Sequence, residues 1–284
     1  MRIVSDFDGV WTNQAGEAEA IRAGFARDAA ALMGVPETRA RAEFDGFLAR
    51  THAEPHLHGW WPRGHLTAFV DEDELLATGA VSVWLDRATD DPVATRWLDA
   101  LRAAGHETAE DFANQQFGPA MRAHRRTGQH RLVPEARAVL DAVLGRGDEL
   151  VIVSNSPNEK IRAMFREIGA DEGDGLRFVG DAKKWWVDDP APKWTVAGRD
   201  VLVDRPLYRG VLEELRPDVL IGDVASLDLA MAAVMRAEGR LSTDLRLLLR
   251  TNPSSSRWAV AQTELARDAR LVDEAVDSIT ALVG

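Results

Sequence analysis

The sequence predicts an α/β fold: a parallel-sheet core with helices on both faces, plus an α-helical domain inserted after the first strand. Three observations carry this expectation. After Pro134, short continuously apolar runs alternate with helical stretches, the pattern of strands buried on both faces. The opening run Arg2-Ile3-Val4-Ser5 is a strand of the same kind, too short to stand alone, so it must join that sheet. Between the two, from about Glu17 to His124, apolar residues recur at helical spacing.

In the inserted region, Ala18, Ile21, Phe25 and Leu32 share one helical face, and Ala40, Phe44, Phe47 and Leu48 another. Further helices are expected near Glu72–Leu85, Val93–Ala103 and Ala109–Arg125. The stretch Thr51–Thr67 holds His52, His56, His58, His65, two prolines and Trp60-Trp61, and reads as an ordered loop. Beyond Pro134 comes a helix at Glu135–Leu144, stopped by Gly145 and Gly147, then a strand at Glu149–Val153. A helix at Asn158–Ile168 and a strand at Leu176–Val179 follow. Lys184–Val187 and Trp194–Val203, joined by a turn at Asp188–Pro192, read as an inserted hairpin. Helices at Pro206–Leu215 and Leu227–Ala237 alternate with strands at Asp218–Gly222 and Leu245–Arg250, and an amphipathic helix around Leu271–Val283 closes the chain. The expected domains are 1–16 with 130–284, and the helical insertion 17–129. Gly16, Gly128 and Pro134 mark the connections as hinges. No internal repeat or low-complexity segment is visible.

A length of 284 residues accommodates about two domains at roughly 150 residues each. The balance of 34 basic against 46 acidic residues gives a net charge of −12, which argues against nucleic acid or an anionic membrane as partner. With no cysteine, disulfides, thiolate catalysis and cysteine-ligated zinc are excluded. Carboxylates at positions 6 and 8 would spoil a secretory signal, and no apolar run approaches the ~18 residues of a membrane span, so a cytoplasmic protein is expected. Lysine is scarce: Lys160, Lys183, Lys184 and Lys193 are all there are.

Open parallel sheets bind ligands beyond the carboxyl ends of their strands. The residues there are Asp6 and Asp8, Ser154 and Asn155, then Gly222 and Asp223, with Asp228 five residues further on. Two carboxylates ~4 Å apart repel by about 4 kcal/mol at a surface-like dielectric, so such a cluster calls for a cation. Oxygen ligands without histidine or cysteine suit Mg²⁺.

Asp6-Phe7-Asp8-Gly9-Val10-Trp11-Thr12 resembles the first motif of the haloacid dehalogenase-like superfamily, Asp-x-Asp-Gly-x-x-Thr. Ser154, ending an apolar strand, resembles its second motif, and Gly222-Asp223-Val224-Ala225-Ser226-Leu227-Asp228 its fourth, Gly-Asp-x-x-x-x-Asp. The resemblance covers residues 1–16 and about 130–284. It implies a Rossmann-like core and a helical cap, with Asp6 as the nucleophile that forms an aspartyl-phosphate and Asp8 as general acid and base. Ser154 and the amide that follows it would hold the phosphoryl oxygens, with Asn155, Gly9 and Trp11 near the substrate. The implied Mg²⁺ ligands are Asp6, Asp8 through its carbonyl, Asp223 and Asp228. The acid at Asp8 favours phosphate esters over carbon–halogen bonds, because a halide leaves without a proton.

The family's third motif, a lysine often followed by proline, is irregular here. Arg205-Pro206 stands where Lys-Pro is expected, and Lys183 is the competing cation; Arg205 is favoured. The four histidines match no regular zinc spacing. Trp60-Trp61 reads as a cap anchor, and Trp11 is expected to face the cap. Trp185, Trp186 and Trp194 would cover a core edge or an oligomer contact, and His124-Arg125-Arg126 reads as a solvated hinge. The expected activity is a Mg²⁺-dependent phosphatase acting on a small phosphorylated metabolite. The alternatives are a phosphomutase of the same superfamily and a non-catalytic binding protein with the same fold.

Overall fold

The computed structural model describes residues 1–128, 131–253 and 255–284. After β1 (Arg2–Ser5) the chain runs through helices α1 (Ala15–Met33) and α2 (Glu37–Ala53), then the short strands β2 (Gly59–Trp60) and β3 (Ala68–Phe69). Helices α3 (Leu76–Arg87), α4 (Pro92–Ala103) and α5 (Ala109–Arg126) follow. It continues with α6 (Ala136–Gly145), β4 (Glu149–Val153), α7 (Asn158–Glu167), β5 (Leu176–Val179), β6 (Lys193–Val196) and β7 (Arg199–Leu202). The last elements are α8 (Pro206–Leu215), β8 (Val219–Gly222), α9 (Ala230–Ala237), β9 (Arg246–Arg250), α10 (Arg257–Ala261) and β10 (Glu274–Val276). Two compact units result, 1–13 with 131–284, and 14–130. The unit boundary near 130 and the hinge expected over 127–134 include Gln129 and His130, which lie outside the described residues.

The α/β unit is built on a six-stranded sheet in the order β10-β9-β8-β1-β4-β5. Every pairing in it is parallel. The amino-terminal strand is therefore central: Ser5 lies opposite Ile152 of β4 on one side and Ile221 of β8 on the other. From β1 the chain winds outward to β4 and β5, then returns to β8 and winds the other way. The strand order thus reverses at the β1/β8 boundary, where doubly wound sheets open a crevice at their carboxyl ends. Strand burial explains the apolar runs: Ile3, Val4, Leu150 to Val153, Leu220 and Ile221 are all at most 1% exposed. Phe165 of α7 packs its ring 5.3 Å from that of Trp11 and 5.1 Å from that of Phe178, holding that helix on the sheet.

Several local expectations need correction. Lys184–Val187 is not a strand. The hairpin consists of β6 and β7 alone, turning at Ala197 and Gly198, both with positive φ, inside what the sequence suggested was one strand. The closing amphipathic helix is absent. Instead β10 pairs with β9, and a 3₁₀ turn at Ile279–Leu282 follows, its first N–H groups met by Ser278. The helical spacing of Leu271, Ile279 and Leu282 arose from separate buried points along an extended edge. Leu227–Ala237 divides into a π-helical turn (Ala225–Leu229) and α9.

The helical unit packs its helices around Phe25, Phe44, Phe47, Trp97 and Phe112. The Phe25 ring lies 5.7 Å from Phe44, 6.0 Å from Trp97 and 5.1 Å from Phe112. Asp91 caps α4, its Oδ1 accepting from the amides of Val93 (2.8 Å) and Ala94 (2.9 Å), with Pro92 at the first helical position. The expected loop from Thr51 is shorter than the sequence suggested, because α2 runs on to Ala53 and β2 pairs with β3. His124 is not a solvated hinge residue. It is buried within α5, and a Cβ on Gly16 would lie 2.9 Å from its ring, whereas Arg125 and Arg126 are exposed.

Candidate active site

The site forms beyond β1, β4 and β8, within the α/β unit. Asp6 continues the line of β1, its amide donating to the Ile221 carbonyl at 2.9 Å. The chain then turns sharply at Gly9, whose φ of +77° suits glycine. Space demands glycine as well, since a Cβ there would sit 1.8 Å from Asp223 Oδ2. Gly222 is constrained in the same way, because its Cβ would meet the Asp228 Cβ at 2.4 Å. Missing side chains at two positions thus let three acids converge. Asp6, Asp223 and Asp228 each offer an oxygen within 4.8 Å of the others, the one such group among the described residues.

A lysine completes this cluster, and it is neither of the expected cations. Lys184, 1% exposed, donates from Nζ to Asp6 Oδ1 (2.7 Å) and Asp228 Oδ1 (2.6 Å). Its backbone is fixed by the Asn155 side chain, which accepts from the Lys184 amide at 2.7 Å. Neighbouring amides of the same loop donate to the turn after β4, Asp181 to the Ser156 carbonyl and Ala182 to that of Ser154. Lys183 is exposed, with a φ of +47°. Arg205 is completely buried, but its guanidinium donates to the carbonyls of Lys184 and Ser226, both at 2.9 Å. The ammonium on Asp6 and Asp228 is that of Lys184, where the sequence pointed to Arg205 or Lys183.

Asp8 stands apart from the triad. Its Oδ1 accepts from Lys160 Nζ (2.6 Å) and its Oδ2 from Ser156 Oγ (2.6 Å), with Ser154 Oγ at 3.5 Å. The Ser154 hydroxyl accepts from the Ser156 amide at 3.0 Å. The side chain of Asp8 is thus held by donors and is not among the clustered acids. Trp11 is another correction. Its indole is fully buried beside Phe165 and donates to Ser5 Oγ at 2.8 Å, so it builds the core and does not present a face to a substrate.

Burial among acids pushes the Asp6 carboxyl up to about 7, with Lys184 pulling it down and Asp228 adding to the rise. Lys184 is held protonated well above the ordinary lysine range; burial opposes its charge, and Asp228 and Asp6 outweigh that. With all three carboxylates ionised, one ammonium leaves two negative charges in a site with little solvent. A divalent cation matches that deficit, and the all-oxygen donor set suits a hard ion.

Sequence reasoning missed Lys184, Lys160, Ser156 and Tyr208, whose hydroxyl donates to the Asp228 carbonyl at 3.0 Å. Scarcity was the available signal: of four lysines in the chain, two lie on these carboxylates. Among the described residues, His52, His56, His58 and His65 enter no metal-capable group. Trp61 lies under the Arg87 guanidinium, 4.1 Å from the ring centre. Trp185 and Trp186 are half-buried with rings 5.7 Å apart.

No protein-family model matches the chain, and no curated protein matches it in sequence. Solved structures similar to it include a 2-haloacid dehalogenase from Pseudomonas syringae pv. Tomato DC3000, at 16% identity over 99% of this chain and 95% of that one, TM-score 0.43. Another is CbbY from Rhodobacter sphaeroides in complex with phosphate, at 16% identity over 99% and 95%, TM-score 0.45. These likenesses are distant and carry no argument about activity. No helix among the described residues is long and apolar enough to cross a membrane.

Proposed function

We propose that the chain is a haloacid dehalogenase-like hydrolase of the phosphatase type, releasing phosphate from a small phosphorylated metabolite with the help of Mg²⁺. The observation that supports this most is the Lys184 ammonium shared between Asp6 and Asp228 at the sheet's switch point, with Asp8 held separately two residues on. Asp6 is the nucleophile: a carboxylate oxygen attacks phosphorus, the ester oxygen departs, and an aspartyl-phosphate forms. Asp8 protonates the departing oxygen and afterwards takes a proton from the water that cleaves the acyl phosphate. Lys184 holds Asp6 in place and offsets the negative charge that gathers as the phosphoryl group arrives. Ser154 and the amides beside it receive phosphoryl oxygens. Asp6, Asp223, Asp228 and the Asp8 carbonyl would hold Mg²⁺, which supplies charge neutralisation at the transferring phosphoryl group.

The acid at Asp8 favours an ester over a halide substrate, since an alkoxide needs a proton to leave and a halide does not. The helical unit would act as the cap that selects the substrate, and neither nucleic acid nor a membrane is expected as partner for a chain of net charge −12. Hydrolysis of a generic aryl phosphate, with Mg²⁺ and after chelation, tests the reading. Turnover that depends on the metal and is lost in Asp6→Asn supports it. Equal turnover in Asp6→Asn, or halide release from a haloacid without phosphate release from any ester, contradicts it.

A further inference from the structure

We propose that Arg205 is a positioning residue: helix α8 grips both ends of the Lys184–Asp228 ion pair through Arg205 and Tyr208, and so sets the geometry of the nucleophile's cation. The inference deepens the phosphatase reading and rests on it for its catalytic consequence, though not for its structural one.

Arg205 is 0% exposed, an expensive place for a guanidinium unless its N–H groups are engaged. One terminal nitrogen donates to the Lys184 carbonyl and the other to the Ser226 carbonyl, each at 2.9 Å. The first bond fixes the backbone from which the Lys184 ammonium reaches the acids. The second fixes the π-helical turn that presents Asp228 two residues later. Three residues into α8 from Arg205, Tyr208 adds its hydroxyl to the Asp228 carbonyl at 3.0 Å, and its ring centre lies 5.8 Å from Lys184 Nζ. From opposite sides of the sequence, the cation loop and the acid turn are thereby tied to one rigid helix. The Asp228 carboxylate is also anchored, Oδ2 accepting from the Val224 amide at 3.0 Å, which leaves Oδ1 aimed at Lys184. A planar fork reaches two carbonyls at a fixed separation, whereas a lysine offers one point of attachment. That geometry suits an arginine at this position.

The chain's few lysines make the test direct. Selective ¹⁵N labelling of lysine gives side-chain signals from Lys160, Lys183, Lys184 and Lys193 only. Lys184, buried and doubly paired, is expected to give the ammonium signal most protected from hydrogen exchange. In Arg205→Lys and Arg205→Met its exchange should speed up by about tenfold or more, the size expected when a charge-assisted hydrogen bond is lost, while the exposed Lys193 stays unchanged. Tyr208→Phe, which keeps the ring and removes only the hydroxyl, should cause a smaller change in the same direction. For aryl phosphate hydrolysis, kcat should fall in Arg205→Met with little change in KM, and Arg205→Lys should recover part of the loss. Unchanged Lys184 exchange in folded Arg205→Lys and in Tyr208→Phe would overturn the proposal. An inactive wild-type protein whose Lys184 signal responds as described would instead remove the phosphatase reading and leave the positioning role standing.

Discussion

The interior of the helical unit is a cluster of rings, Phe25, Phe44, Phe47, Trp97 and Phe112, and its arginines pair with acids at the surface, as Arg41 does with Glu19 and Arg39 with Glu43. At comparable depth the α/β unit holds Lys184, Arg205, Asp223 and Asp228. Among the described residues, every buried lysine or arginine belongs to the α/β unit. The contrast separates two uses of burial. Apolar packing stabilises a fold with no particular chemistry, whereas a buried ion pair gains little or nothing in stability over an apolar substitute. Substitutions in the two regions should therefore fail in different ways, one losing activity in a folded protein and the other losing stability.

The largest effect is expected at Asp6. Asp6→Asn should abolish turnover, since an amide cannot form the acyl phosphate, while circular dichroism stays that of wild type. Next comes Asp8→Asn, with a loss of about 10²–10⁴ in kcat, the range for a missing general acid and base. Lys184→Met should lower kcat by about 10²–10³, the cost of removing one oriented charge from a transition state. It also leaves Asp228 buried beside Asp6 without its cation, so Mg²⁺ should raise the Tm of this variant more than that of wild type. In the helical unit, Phe25→Ala should cost about 3–5 kcal/mol of stability by opening a cavity among the rings, read from denaturant unfolding. The smallest effect belongs to Lys183→Ala, an exposed side chain, with kcat unchanged within experimental scatter. A large loss there with none in Lys184→Met would reverse the assignment of the cation.

The pH dependence of the metal-free chain sharpens the same contrast. The Asp6 carboxyl is raised from 3.8 to about 7, so the folded state holds its proton more tightly than the unfolded chain does. Stability from this group is present at low pH and lost as the pH rises through about 7. In chelator, Tm should therefore fall over that window, and added Mg²⁺ should flatten the fall.

The parallel sheet and the places where Asp6 and Asp223 leave it were legible because each follows an apolar strand, and a strand buried on both faces has a plain signature; Asp228 was legible by its spacing from Asp223. The cation was not legible. Lys183 and Lys184 have the same chemistry, and what separates them is backbone: a φ of +47° at Lys183 leaves that side chain exposed while the next residue lies buried against the acids. Arg205 misled for a related reason. Its place before Pro206 matched a motif, but its guanidinium donates to two carbonyls brought together only by the tertiary fold. Trp11 follows Asp6 closely in sequence, yet the turn at Gly9 carries it back under the sheet to Ser5 and Phe165. Side-chain direction at a tight turn is decided by backbone angles that composition does not encode.

The covalent step at Asp6 is the central expectation for this site. Wild-type protein would be mixed with an aryl phosphate and Mg²⁺, quenched in acid within the first turnovers, digested and weighed by mass spectrometry. A phosphate increment on the peptide carrying Asp6, absent from Asp6→Asn and longer-lived in Asp8→Asn, is the predicted result. Steady hydrolysis with no increment on that peptide, or an increment on a different residue, would contradict the assignment of Asp6 as nucleophile.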